Sequence, residues 1–258
     1  MAGFKDYFSA VSSSYRDFRP RYPESLFEHL AGIAPSRSAA WDCATGNGQA
    51  AGMLARYFDH VTATDASENQ VANADAVDGV TYRVEPAEST SFDSHSVDLV
   101  TVAQALHWFD LRAFESEVRR VCKPGAVLAV WSYAILQSTP AVDAVIDRLY
   151  NGILNGYWTN ERRIVEKGYR DVTFSFESLP SPTFAMHADW SLEHLLGYLS
   201  TWSAGRRYKD RNGVDPITLV ADEITDAWGD PQSLVDISWP LTVCLWRVGD
   251  TPDETRSA

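Results

Sequence analysis

Trp41-Asp42-Cys43-Ala44-Thr45-Gly46-Asn47-Gly48-Gln49, followed by the apolar run Val61-Thr62-Ala63-Thr64 that closes on Asp65, is the stretch that decides the fold. Ala39–Cys43 reads as a short buried strand. A glycine-bearing turn follows. Residues 49–58 have helical spacing, with Ala51, Leu54, Ala55 and Phe58 on one face. A second strand then ends in an acid. Glycine suits a tight turn and lets a ligand approach bare backbone. Asp65 lies 19 residues after Gly46, which places a carboxylate at the end of the next strand, where it can accept two ribose hydroxyls.

Outward from this unit the same rhythm continues. Pro23-Glu24-Ser25 opens a helix through Leu26, Phe27, Leu30 and Ile33. A helix over 67–76 has Ser67 as its N-cap. Strands are expected at 80–84, 97–102 and 126–131, with a helix over 111–122 ended by Lys123-Pro124-Gly125. Five strand–helix alternations argue for an α/β, Rossmann-like, doubly wound parallel sheet. After Trp131 the pattern becomes helical over 138–168. A strand follows at 172–176, helices over 192–202 and 217–228, and a last strand at 241–248. The expected organisation is a single domain over 1–250. It has an N-terminal helical lid at 1–36, a helical insertion at about 136–168 and 188–230, and a loose tail at 251–258.

Composition narrows the partners. With 35 acidic and 22 basic residues the formal net charge is −13, which disfavours nucleic acid and anionic membrane surfaces. Cys43, Cys122 and Cys244 form no CxxC pair, so neither zinc nor a disulfide framework is expected, and no metal site is assigned. The start MAGFKDYFSA lacks the character of a signal peptide, so the expected location is the cytoplasm. A monomer and a homodimer fit equally well.

Gly46-x-Gly48-x-x-Ala51 also satisfies a dinucleotide fingerprint, which leaves an NAD(P)-dependent oxidoreductase as an alternative. Asp42 weighs against it. A carboxylate at the end of the strand before the loop opposes a pyrophosphate and suits a ligand with an amino acid moiety and a sulfonium. Asp42 to Gln49 resembles the D-x-G-x-G-x-G of the class I S-adenosylmethionine-dependent methyltransferases. Within these, the chain is similar to the small-molecule enzymes of the trans-aconitate methyltransferase-like type. Ala44 stands for the first glycine, a substitution that suits a negative φ there. Pro86-Ala87-Glu88 matches the turn beside the adenine, with Pro86 where many relatives have an acid. Residues 103–109, Ala-Gln-Ala-Leu-His-Trp-Phe, match the segment facing cofactor and acceptor. Residues 119–125, Arg-Arg-Val-Cys-Lys-Pro-Gly, match the turn before strand five. Tyr15-x-x-x-Arg19-Pro20-x-Tyr22-Pro23 matches an N-terminal motif.

The resemblance implies a seven-stranded sheet ordered 3-2-1-4-5-7-6 with strand 7 antiparallel, and residues 172–176 and 241–248 can supply strands 6 and 7. It implies S-adenosylmethionine as cofactor, with Tyr15, Arg19, Asp42, Ala44, Gly46, Gly48, Gln49, Asp65, Ala87, Glu88, Ala103 and Gln104 around it. Tyr22, His107 and Trp108 fall on the side of a small-molecule methyl acceptor. His107 is the candidate general base, because an imidazole titrates at about 6.5. The expected activity is methyl transfer, to oxygen by preference. A non-catalytic S-adenosylmethionine-binding protein is a second alternative. Arg206 and Arg207 are candidate contacts for an acidic acceptor; His187 and His194 read as structural.

Overall fold

The computed structural model describes residues 20–159 and 162–249. Helix α1 (Glu24–Ile33) is followed by β1 (Ala39–Cys43), α2 (Gln49–Leu54), β2 (His60–Asp65), α3 (Glu68–Ala72), β3 (Val80–Val84) and β4 (Val97–Ala103). A 3-10 turn, Leu106–Trp108, leads to α4 (Leu111–Val121) and β5 (Cys122–Tyr133). The cap comprises α5 (Pro140–Asp147), a π-helical turn at Arg148–Ile153, α6 (Arg162–Glu166), β6 (Glu177–Leu179), β7 (Phe184–Trp190), α7 (Leu192–Ser200), α8 (Ser203–Asn212) and α9 (Ala221–Trp228). The long β8 (Val235–Arg247) closes the chain.

All eight strands join one sheet, ordered β3-β2-β1-β4-β5-β8-β6, with β7 also on β8. The first five are parallel, and β8 enters antiparallel to β5. β1 and β4 are buried on both faces because helices cover both, as their near-continuous apolar sequences require. Alternation along β5 divides two cores. Val127, Ala129 and Trp131 face α1 and α2, while Ala126, Leu128 and Val130 face Phe114 and Val118 of α4. Leu26, Phe27 and Leu30 of α1 are wholly buried, each stabilising by about 1.5–3 kcal/mol.

At the amino ends of the central strands, opposite the glycine loop, Lys123 Nζ donates to both Asp98 oxygens at 2.9 Å and to Ser38 Oγ at 2.7 Å. The Ala39 N–H donates to Asp98 Oδ2 at 2.9 Å, pinning the start of β1 to β4. β4 and β5 pair Val97 with Cys122 but Leu99 with Val127, so Lys123-Pro124-Gly125 forms a bulge within β5.

The structure corrects several expected boundaries. Residues 172–176 form no strand. The 2-residue alternation of Val172, Phe174 and Phe176 serves core packing, with Phe174 edge-on to Trp246 at 5.0 Å and Phe176 beneath the Arg119 guanidinium. The strand role passes to β6 and β7, both on β8. Ala188–Trp190, assigned to the helical insertion, belongs to β7. The last strand begins at Val235, not at residue 241. Pro240 disguises its first half, yet is tolerated because there β8 has outrun β5, whose last pair is Tyr133 with Leu241. Helices α2 and α3 end at Leu54 and Ala72, earlier than spacing suggested, although Phe58 remains in the core. The segment 217–228 splits into a 3-10 turn at Pro216–Leu219 and α9.

Candidate functional site

The carboxyl ends of β1, β2 and β4 and the turns after them make the site. Thr45 N–H donates to the Thr64 carbonyl at 2.9 Å, which folds the loop back across the end of β2. The Asp65 carboxylate then takes the Gly46 N–H on Oδ2 and the Ser67 N–H on Oδ1, both at 2.9 Å. Gly46 has φ +59°, and no atom of the described residues lies within 4 Å of where its Cβ would stand, so its backbone can be approached by a ligand.

Asp42 lies beneath this loop, 1% exposed. Its Oδ2 accepts from Thr45 Oγ1 at 2.5 Å and its Oδ1 from Thr101 Oγ1 at 2.7 Å. Burial pushes its carboxyl up to about 6, against the lowering effect of the two hydroxyls. Ala44 has φ +54°, not the negative φ expected of an alanine; the turn demands the left-handed conformation that its side chain resists. At Gly48, φ +86°, a Cβ would stand 2.2 Å from the Tyr82 hydroxyl. Gln49 Nε2 donates to the Pro20 carbonyl at 3.1 Å, drawing the chain before α1 over the loop. Tyr22 packs edge-on to Trp131, with centroids 5.5 Å apart. Trp131 is wholly buried, and its indole N–H has no partner among the described residues.

Ala103 ends β4, and Gln104 follows with φ +58°, its side-chain amide donating to the Tyr133 carbonyl at 3.2 Å. A non-glycine residue held there marks strain typical of functional turns. Ala87 is buried, and Glu88 Oε1 accepts the Asp110 N–H at 3.0 Å, so that carboxylate braces the start of α4. His107 Nδ1 lies 2.9 Å from the Tyr169 hydroxyl, and its ring packs on Trp108, which is 41% exposed.

Other candidates lie apart. Tyr15 and Arg19 fall outside the described residues. Arg206 and Arg207 are in α8, where Arg207 Nη1 donates to the Tyr157 carbonyl at 3.0 Å. His187 sits 3.3 Å from Asp236, and the His194 ring packs tilted against Trp190, both in the cap. Among the described residues no group of three His, Cys, Asp or Glu side chains converges as a metal site. Sequence reading missed Thr101, Tyr82, Trp131 and Tyr169. Thr101 was within reach, because it sits in register with Asp42 once β1 and β4 are neighbours. Tyr169 meets His107 from 62 residues away, and nothing local signals it.

The sheet order and the glycine loop with its acid define a Rossmann-like methyltransferase. Residues 41–130 match the methyltransferase domain family. A Dictyostelium discoideum protein described as a methyltransferase is 33% identical over 250 residues, covering 94% of this chain and 95% of that one. The structure of a protein described as a type II methyltransferase from Anaeromyxobacter dehalogenans superposes with TM-score 0.87 at 43% identity, covering 90% of this chain and 99% of that one. A methyltransferase of Pestalotiopsis fici is 29% identical over 160 residues, covering 54% of this chain and 47% of that protein. The chain belongs to the class I S-adenosylmethionine-dependent methyltransferases.

The residues present fit that cofactor. A carboxylate positioned by two backbone N–H groups suits a vicinal diol, and the open backbone at Gly46 admits a ligand. No helix among the described residues is long and apolar enough to cross a membrane.

Proposed function

We propose that this chain, acting as one methyltransferase domain over 1–250, methylates a small-molecule acceptor in the cytoplasm, with oxygen the favoured nucleophile. When bound, S-adenosylmethionine supplies an electrophilic methyl on a sulfonium, so the chain's own residues need to bind, orient and exclude water and, for a hydroxyl acceptor, take up its proton, the role proposed for His107. The observation that carries this reading is the Asp65 carboxylate, set by the Gly46 and Ser67 N–H groups at the carboxyl end of β2, where a ribose diol can reach it. Gly46 and Gly48 shape the loop, Asp42 supports it from below, and Ala44 and Gln49 flank it. Ala87 and Glu88 border the adenine side, and Ala103 and Gln104 the end near the reacting sulfur. Tyr15 and Arg19 serve the methionine end from the N-terminal segment. Tyr22, His107 and Trp108 face the acceptor. The reading of a small-molecule acceptor is supported by the exposed Trp108, an aromatic face beside His107, and the net charge of −13 weighs against nucleic acid.

Calorimetric titration of S-adenosylhomocysteine into the wild type and Asp65→Ala, with NAD as control, tests this. Wild-type binding weakened about 10- to 100-fold by the substitution is expected from loss of charge-assisted hydrogen bonds. Binding of NAD in place of S-adenosylhomocysteine would sink it.

A further inference from the structure

Three apolar side chains that the core does not take up stand around His107. Trp108 ends the 3-10 turn after β4 and is 41% exposed. Leu111 opens α4 at 36%, and Ile164 of α6 is 39% exposed. The His107 and Trp108 ring centroids are 4.6 Å apart. Asp110, between Trp108 and Leu111, caps α4 by accepting the Arg112 and Ala113 N–H groups at 3.1 Å, so turn and helix hold a fixed relation. Helix α6 packs against the 3-10 turn, with Val165 and Leu106 in one buried cluster. The Ile164 carbonyl accepts the Tyr169 N–H at 3.1 Å, and the Tyr169 hydroxyl lies 2.9 Å from His107 Nδ1, which ties Ile164 to the same imidazole.

Packing does not account for these three. The core of this region is filled by Leu106, Phe114, Val118 and Val165, all buried. One exposed apolar residue is ordinary on any protein surface. Three around one imidazole, at the carboxyl edge of the sheet where ligands enter, leave apolar surface for a ligand to cover. Size and charge select the occupant. A stable protein partner takes about 20–30 residues a side, and three side chains fall far short of that. The net charge of −13 opposes an anionic membrane surface. A small molecule held at the site by its reacting end can cover all three.

We propose that the methyl acceptor carries an apolar arm, alkyl or aryl, that leaves the site past His107 and lies against Trp108, Leu111 and Ile164. This deepens the functional reading above and rests on its placement of His107 and Trp108 on the acceptor side. The reacting group of the acceptor then meets His107, and the arm sets affinity through the area it buries. Each CH₂ taken from water onto this surface raises affinity about 4-fold. Acceptors are discriminated by the length of that arm, and those without it bind weakly.

Calorimetric titration of phenol, 4-ethylphenol, 4-butylphenol and 4-hexylphenol into the full chain, with and without S-adenosylhomocysteine, tests this. Affinity should rise along the series by up to about 4-fold per methylene. The rise should flatten in Ile164→Asn and in Leu111→Asn, both polar replacements at exposed positions that leave the core intact. Leu234→Asn, at an exposed leucine before β8, should keep the wild-type rise and serves as the control. No binding of any phenol, affinity independent of chain length, a rise that survives in both Ile164→Asn and Leu111→Asn, or an equal loss in Leu234→Asn overturns the proposal. The S-adenosylhomocysteine titration separates the two readings. A chain-length dependence carried by Ile164 and Leu111 without S-adenosylhomocysteine binding overturns the proposed function only. Binding of S-adenosylhomocysteine with no chain-length dependence overturns only the apolar arm.

Discussion

The Tyr82 hydroxyl occupies the place that a side chain at Gly48 would need: a Cβ on Gly48 would come within 2.2 Å of it. The hydroxyl is not free to swing aside, because it donates to the Asp75 carbonyl at 2.8 Å. Gly48 thus answers to strand β3 as well as to its own φ of +86°.

Gly48→Ala should lower stability by about 2–4 kcal/mol, combining left-handed strain with overpacking. In the Tyr82→Phe background the same substitution should cost clearly less, because the colliding oxygen is gone. Urea unfolding of the two single variants and the double variant measures the coupling. Equal costs in both backgrounds would show that backbone strain alone governs this position.

Ala44, at φ +54°, carries strain that glycine would not. Ala44→Gly should raise stability by about 0.5–1 kcal/mol, the relief of left-handed strain less the added freedom of the unfolded chain. For a chain of this size that amounts to a Tm higher by about 1–4 °C. A lower Tm in calorimetry would mean that the alanine methyl has a packing role that outweighs its strain.

Asp42 has a folded pKa of about 6, raised by burial from 3.8. The folded state therefore holds this proton more tightly than the unfolded state. The sign follows: the associated stability is fully present below the unfolded value and is lost as pH rises through about 6. In the proposed binding mode the cationic ligand favours the anion, so affinity for S-adenosylhomocysteine should move oppositely and weaken as pH falls below about 6. Calorimetry between pH 5 and 8 should show this inflection in the wild type and none in Asp42→Asn. An inflection that survives in Asp42→Asn would assign it to another group.

Lys123 holds the only cation in contact with the buried Asp98 carboxylate among the described residues, with the lysine side chain 32% and the aspartate 0% exposed. Lys123→Met should cost on the order of 3 kcal/mol by leaving that carboxylate poorly compensated, and adding Asp98→Leu should recover much of it. Burial alone would raise the Asp98 pKa, but donation from Ser38, Lys123 and the Ala39 N–H outweighs it and holds the group low. Its contribution is then present above the unfolded value near 3.9 and lost as pH falls through the lower folded value. Chemical denaturation at pH 7 and pH 3 should show the Lys123→Met penalty shrinking with acid. A constant penalty would assign the loss to packing of the lysine stem.

Much of the fold was legible before any coordinates. Apolar runs bounded by turn residues placed β1, β4 and β5, because strands buried on both faces read as continuous hydrophobic segments, while β2 and β3 were marked by β-branched residues between turns. Asp65, Gly46 and Gly48 were legible from spacing, since each is held by backbone geometry within one strand–turn–helix–strand unit. Reading failed where period two served packing and not pairing, at Phe174 and Phe176, and where Pro240 interrupted a strand free of β5 on that side.

By itself the sequence determined the alternation of elements, the glycine loop after β1 and the acid beside it, since these depend on neighbours within a few tens of residues. The tertiary structure alone decided what each polar group does. It buried Asp42 between Thr45 and Thr101, turned Glu88 to the Asp110 N–H, forced Ala44 into a left-handed turn, and brought Tyr169 to His107. The reason is physical. A strand's pattern is set by local periodicity, whereas a proton's position is set by whichever donors and acceptors the completed fold brings within 3 Å, roughly the length of one hydrogen bond.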